Sequence, residues 1–290
     1  MSSHRCSNRT NLFETKTFLP PPRGFDPLTA SKRLLIKYGF PSRPDRIAAR
    51  THCKAWELYF SRKFKHIVPS FEISSLQSPQ PTKKMTLEDI YRDGESSGIV
   101  AFSHNDPYKW VWGTWSVPKF YTPDTDGARY FGSTWIGIDG YSENDILQAG
   151  TDVEIVNKNG RLQKSMKFWW AWHPAYKITI ENFPVSPLDR IYCLICATRP
   201  GKAYIYLSNE NRLSYTSFKI TAPQEIFLMN ISKDNFPARP DIETPLYWIA
   251  EKNEVYFSNC CTVTKGQPDK FLEIVAPLEM VCEDTFSMSG

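Results

Sequence analysis

The chain has 290 residues, enough for one large domain or for one domain with a sizeable extension. Hydrophobic residues make up 41% and aromatic residues 14%, with nine tryptophans, which is ample for a packed core. The formal net charge is +4, and no run of Lys or Arg is long enough to indicate nucleic-acid binding. No stretch approaches the ~18 apolar residues of a membrane-spanning helix. We therefore expect no nucleic-acid partner and no membrane partner.

The N-terminal residues and the cysteines bear on location and redox chemistry. The first ten residues are polar and lack the apolar stretch of a secretory signal, which predicts a cytoplasmic location. Cys193 and Cys196 have a spacing seen in metal and redox sites, but no second pair or His cluster accompanies them. Their neighbours are apolar and typical of a buried strand, which favours a structural role. The sequence predicts no metal and no cofactor.

Residues 1–92 are interpreted as an N-terminal extension with short helices. Leu28 to Gly39 has the pattern of a short helix that Ser31 caps and Gly39 ends. Apolar side chains near helical spacing predict a second helix over residues 47–65. We expect these helices to pack on the main domain as a brace, and a regulatory flap over a cleft is the alternative.

The pattern changes to a period of two residues after residue 92, which predicts a mostly β domain over residues 93–290. Trp110 to Val117, Lys164 to Trp172 and Ile191 to Thr198 are clear strand candidates, separated by Gly, Pro, Asn and Asp. Short strands with this spacing favour antiparallel packing as a sandwich or a barrel.

One motif presents a polar side chain from an apolar strand. Ser133 to Gly140 predicts a strand and a tight turn, and Ile146 to Thr151 predicts a second strand that carries Gln148. A Gln in such a strand costs roughly 1–3 kcal/mol if it lacks a partner. We therefore expect Gln148 to be hydrogen-bonded or to face a cleft. No phosphate-binding loop, HExxH motif or nucleophile elbow accompanies it, and the five His are too dispersed to support a His-based triad.

An ordered set of motifs resembles the eqolisins, also called glutamic peptidases. The motifs are Gly113-Thr-Trp-Ser-Val-Pro118, Trp135-Ile-Gly-Ile-Asp-Gly140, Leu147-Gln-Ala-Gly-Thr151, Trp170-Ala-Trp-His-Pro174 and Glu243-Thr-Pro-Leu-Tyr-Trp-Ile-Ala-Glu251. The resemblance implies a concanavalin-like antiparallel β-sandwich of two curved, seven-stranded sheets, with a cleft across the concave sheet.

The resemblance also implies a broken catalytic pair. In that family a Glu activates water, and a facing Gln polarises the substrate carbonyl and stabilises the oxyanion. The Gln corresponds to Gln148, but Tyr247 occupies the position of the Glu. Ala171 occupies the position of a second cleft Glu, and the family's cleft-floor Trp falls near Gly98. A phenol has a pKa of about 10 and is a poor substitute for a carboxylate base at acid pH.

The residues and the resemblance together predict a candidate site and three candidate functions. Gln148 and Tyr247 are the candidate catalytic residues. The candidate substrate-binding residues are Asp139, Trp135, Trp170, Trp172, His173 and Trp248. The first function is a repurposed cleft that binds, cyclises or isomerises a small or peptide-like ligand with a carbonyl, for which secondary metabolism is one setting. The alternatives are a non-catalytic binding or scaffold protein and a residual acid endopeptidase.

Overall fold

The computed structural model describes part of the chain. The described residues are 14–44, 46–47, 50–74, 96–101, 108–118, 127, 129–139, 146–172, 175–199, 201–222, 246–251, 255–264, 279–282 and 285–288.

Within these residues the chain forms two helices and sixteen strands. The helices are α1 (Lys32–Lys37) and α2 (Arg50–Phe60). The strands are β1 (Glu14–Thr17), β2 (Lys65–His66), β3 (Phe71–Ile73), β4 (Ser96–Ala101), β5 (Tyr108–Ser116), β6 (Arg129–Asp139), β7 (Ile146–Lys158), β8 (Arg161–Trp172), β9 (Ile178–Ile180), β10 (Arg190–Arg199), β11 (Lys202–Asn209), β12 (Ser214–Thr221), β13 (Leu246–Glu251), β14 (Val255–Thr264), β15 (Glu279–Cys282) and β16 (Thr285–Met288).

The strands form two sheets, which confirms the predicted two-sheet, mostly antiparallel β architecture. The seven-stranded sheet has the order β3-β9-β8-β7-β6-β13-β4. The nine-stranded sheet has the order β1-β12-β11-β10-β5-β14-β16-β15, and β2 pairs in parallel with β12. The second sheet exceeds the expected seven strands because the N-terminal segment contributes β1 and β2. The same segment contributes β3 to the first sheet.

The N-terminal segment forms two helices, as the sequence predicts. Ser31 caps α1 by accepting a hydrogen bond from the Leu34 backbone N–H. Gly39 ends the helix with a φ of +71°, and a Cβ there would lie 2.2 Å from Ser217 Oγ, so both the backbone and the close packing require glycine. Helix α2 is shorter than the predicted 47–65, because the chain leaves the helix after Phe60 to pair β2 with β12.

The main core lies between the two sheets. Alternate residues of both sheets point into it, including Ile136, Leu147 and Trp170 from one sheet and Ile195 and Ile205 from the other. A hydrogen bond also crosses between the sheets, since the Trp115 indole N–H donates to Thr151 Oγ1 at 2.9 Å.

A second core covers the other face of the nine-stranded sheet. Phe40, Trp56 and Phe60 of the N-terminal segment pack there on residues that include Tyr206 and Tyr215. The Tyr204 hydroxyl also donates to the Gly39 carbonyl at 2.6 Å. The N-terminal helices therefore brace the nine-stranded sheet. They cover the face of this sheet that points away from the seven-stranded sheet.

Candidate functional site

One face of the seven-stranded sheet is turned away from the main core, and we call it the outer face. Residues on it alternate with core residues along β6, β7 and β8. Its described side chains include Ser133, Trp135, Gln148, Asp152, Trp169 and Ala171, all of which are buried. Gln148, the polar residue that stands out in the sequence of β7, is fully buried, with 0% exposure.

Strand register brings the two candidate catalytic positions into one row. Gly137 of β6 pairs with Gln148 of β7 on one side and with Tyr247 of β13 on the other. Gln148 pairs in turn with Ala171, and Tyr247 with Val100. Directly opposed positions of antiparallel strands share a face of the sheet. The backbone positions of Gln148, Ala171 and Tyr247 therefore lie in one row across the sheet.

The next row on the same face carries two tryptophans around a glycine. Gly150 pairs with Trp135 on one side and Trp169 on the other. A Cβ on Gly150 would lie 2.1 Å from the Thr134 carbonyl oxygen, so only glycine permits this close approach of β6 and β7. Both tryptophans are diagonal neighbours of Gln148, a relation that aromatic side chains can span.

A buried ionic cluster, which the sequence analysis missed, lies further along the outer face. The Asp152 carboxylate accepts hydrogen bonds from Lys177 Nζ at 2.6 Å and from the Ser133 hydroxyl at 2.8 Å. Lys177 Nζ also lies 4.2 Å from the ring centroid of Trp169. Burial raises the pKa of the Asp152 carboxyl above its ordinary value, and the charge and hydrogen bond of Lys177 oppose that rise. The available signal was an Asp four residues after Gln148, at an even offset that keeps the same face.

Two of the predicted ligand contacts lie on the core side of β8. Trp170 and Trp172 lie in the main core with 0% exposure, on the face opposite to Gln148, because side chains alternate along β8. Their neighbour Trp169 takes the outer-face position instead. Trp169 is therefore the tryptophan of β8 that shares a face with Gln148.

The other candidate contacts are placed only by backbone register. Trp248 pairs with Ile136, whose side chain lies in the main core. Asp139 pairs with Ile146 and lies two residues along β6 from Gly137, which keeps its position on the outer face. His173 lies outside the described residues.

The described part of the chain carries neither a metal-ligand cluster nor a membrane-spanning helix. There, no group of three or more His, Cys, Asp or Glu is arranged to hold a metal ion. The described helices include none that is both long enough and apolar enough to cross a bilayer.

The two-sheet antiparallel β-sandwich is the fold that the resemblance to glutamic peptidases implies. The Peptidase A4 family model matches residues 94–267, more than half of the chain, and the chain belongs to this family. The resemblance to eqolisins is thereby confirmed. No curated protein sequence matches the chain.

Several solved structures are similar to this chain. Scytalido-glutamic peptidase with a peptide-based transition-state analog has 18% identity and a TM-score of 0.46, covering 68% of this chain and 98% of its own. SCP-B, an eqolisin in complex with the tripeptide Ala-Ile-His, has 16% identity and a TM-score of 0.42, with the same coverage. Aspergilloglutamic peptidase from Aspergillus niger has 21% identity and a TM-score of 0.38, covering 55% of this chain and 98% of its own.

Proposed function

We propose that this chain is a non-proteolytic member of the Peptidase A4 family whose outer face binds, and by hydrogen-bond donation transforms, a small apolar molecule with a carbonyl group. The supporting observation is the row that joins Gln148, Gly137 and Tyr247 across three neighbouring strands. Cyclisation and isomerisation are the reaction types that need such donors without an activated water.

The identity of the residue at 247 argues against water activation. A phenol has a pKa of about 10, so at pH 5 only about one in 10⁵ is ionised. Relative to an ionised carboxylate this corresponds to a penalty of roughly 7 kcal/mol for a base. Ala171, the residue paired with Gln148, adds no charge to the row. The row therefore lacks the acids that the family resemblance implies for proteolysis.

The same two side chains suit a ligand carbonyl. A Gln amide and a Tyr hydroxyl are neutral donors at any pH below about 10. Two neutral donors on either side of a glycine can share one carbonyl or developing enolate oxygen. The buried side chains of Trp135 and Trp169 in the next row add apolar neighbours on the same face of the sheet.

Ligand-observed NMR with matched probes tests this proposal. The carbonyl probes are acetophenone, benzylacetone and N-benzylacetamide, and the hydrocarbon controls are ethylbenzene and propylbenzene. We expect the wild type to bind the carbonyl probes more tightly than the hydrocarbons. Gln148→Ala and Tyr247→Phe should each remove about 1–3 kcal/mol of this preference, or roughly 5- to 150-fold, because one hydrogen bond is lost.

Two substitutions of exposed residues serve as matched controls. Gln163 and Tyr176 are exposed, and Gln163→Ala and Tyr176→Phe should leave binding of every probe unchanged. A wild type without preference for carbonyl probes, or a preference that survives both Gln148→Ala and Tyr247→Phe, overturns the proposal. Robust acid proteolysis by the wild type would instead favour the residual-peptidase alternative.

A cytoplasmic location and a setting in secondary metabolism form part of the same proposal. Cys53 and Cys193 are free thiols, which supports a reducing compartment. A fluorescent fusion that accumulates in the secretory pathway would contradict the location.

A further inference from the structure

A fully buried lysine lies on the outer face. Lys177 is 0% exposed, and its ammonium group contacts the Asp152 carboxylate and the face of the Trp169 ring. Burial of an ammonium group is costly unless it is paired. Both contacts compensate for that cost, and both connect Lys177 to strands that carry the candidate site.

Stability alone does not account for this lysine. Buried ion pairs are often no more stabilising than apolar residues of similar volume, so a Met at position 177 could fill the same space. The ion pair differs from apolar packing in its directionality. Asp152 is itself fixed to β6 by the Ser133 hydroxyl, so the ammonium is anchored at a defined place over the indole of Trp169.

The indole that Lys177 contacts lies beside the candidate ligand site. Trp169 pairs with Gly150 and precedes Ala171, the partner of Gln148, by two residues on the same face. A rotation of the Trp169 ring would therefore change the surface next to the Gln148 amide. A cation over an aromatic face restricts that rotation, because the attraction depends on the ring facing the charge.

We propose that Lys177 is a positioning residue: anchored by Asp152 and Ser133, it holds the Trp169 indole in the orientation that shapes the ligand surface beside Gln148. The ligand part of this inference rests on the proposed function. The orientation of the indole is independent of any ligand, so the two can be tested separately.

The first experiment needs no ligand. The indole N–H resonance of Trp169 is assigned in a ¹⁵N-correlated spectrum with a Trp169→Phe variant. In Lys177→Met we expect this resonance to shift or broaden. In Lys177→Arg it should stay close to its wild-type position, because Arg retains a cation that can stack on the ring. An unchanged resonance in Lys177→Met overturns the positioning role, whatever the fate of the proposed function.

The second experiment uses the acetophenone and ethylbenzene pair. Lys177→Met leaves Asp152 without its cation, so the double variant Lys177→Met/Asp152→Asn serves as the folded reference if the single variant unfolds. We expect the double variant to lose about 2- to 30-fold of the preference for acetophenone. Lys177→Arg should retain the preference of the wild type for acetophenone. Lys164→Met, at an exposed position on β8, should not affect it.

The outcomes separate the two ideas. A double variant that melts cooperatively and keeps the full preference for acetophenone overturns the positioning role and makes the pair structural. Absence of any preference in the wild type overturns the proposed function and the ligand part of this inference, while the indole resonance still decides whether Lys177 orients Trp169.

Discussion

Gln148 and Tyr247 are both backbone partners of Gly137, on opposite sides of strand β6. Two antiparallel spacings place their Cα atoms about 10 Å apart. Since Gly137 has no side chain, no side chain of β6 stands between the two positions in this row. This geometry distinguishes the row from an ordinary sheet surface, on which a third side chain would fill the space.

The first prediction concerns proteolysis. We expect the purified protein to leave denatured casein intact between about pH 3 and 5, because a phenol at position 247 is almost entirely protonated there. Tyr247→Glu should restore a trace of cleavage by supplying a carboxylate in the same row. The measurement is peptide release followed by mass spectrometry. Wild-type cleavage that disappears in Gln148→Ala would show that another acid serves as the base.

The second prediction concerns the approach of β6 and β7. Gly150→Ala should destabilise the protein by about 1–3 kcal/mol or more, since the new methyl group would lie 2.1 Å from the Thr134 carbonyl, which cannot move aside easily. Gly160→Ala is the control, because the space there is open and only the positive φ is unfavourable. Denaturant unfolding measures both variants. A smaller loss for Gly150→Ala than for Gly160→Ala would contradict the close approach.

The third prediction concerns the second core and compares two positions on α2. Phe60 is 2% exposed and packs edge-on against Tyr206, whereas Leu58 is 72% exposed. Phe60→Ala should lower the free energy of unfolding by about 3–5 kcal/mol, because it leaves a cavity. Leu58→Ala should change it by less than about 0.5 kcal/mol. Equal effects of the two substitutions would mean that α2 does not pack on the sheet through this face.

The fourth prediction concerns acid stability. Burial lowers the pKa of His66 from its ordinary value of 6.5. The centroids of the His66 and Tyr215 rings lie 5.0 Å apart. Just below pH 6.5 the folded protein therefore binds fewer protons than the unfolded chain, so stability falls as the pH drops through this range. His66→Phe should flatten this part of the curve of melting temperature against pH. Parallel curves for wild type and variant would assign the acid sensitivity to other groups.

The fold could be predicted from the sequence because its signals are local and ordered. Period-two patterning in segments such as Trp110 to Val117 indicates strands without any knowledge of their partners, and the family motifs occur in the expected chain order. Helix α1 could also be predicted from the sequence, because Ser31 and Gly39 mark its ends. The pairing of β1 and β2 with β12 could not be predicted from the sequence, since these short segments carry no periodic pattern.

The candidate site was predictable only in part. Gln148 stood out as a polar residue in an apolar strand, and alternation from the cleft position of Ala171 would have selected Trp169 over Trp170. The contact of Lys177 with Asp152 could not be predicted from the sequence. The two residues are 25 positions apart, and they meet only when β7, β8 and the residue before β9 assemble. Chemistry that depends on such assembly leaves little trace in local sequence patterns.

The cover of the nine-stranded sheet by the N-terminal segment has a consequence for sequence variation. Strands with one solvated face tolerate polar substitutions at every second position, whereas β11 is buried from Ala203 to Asn209 without interruption. A saturation-mutagenesis profile across β11 should therefore show uniform intolerance with no two-residue rhythm. Over residues 161–164 of β8, which are exposed, the same profile should be permissive. The constraint on these two segments thus follows from the number of layers around each strand and not from its distance to Gln148.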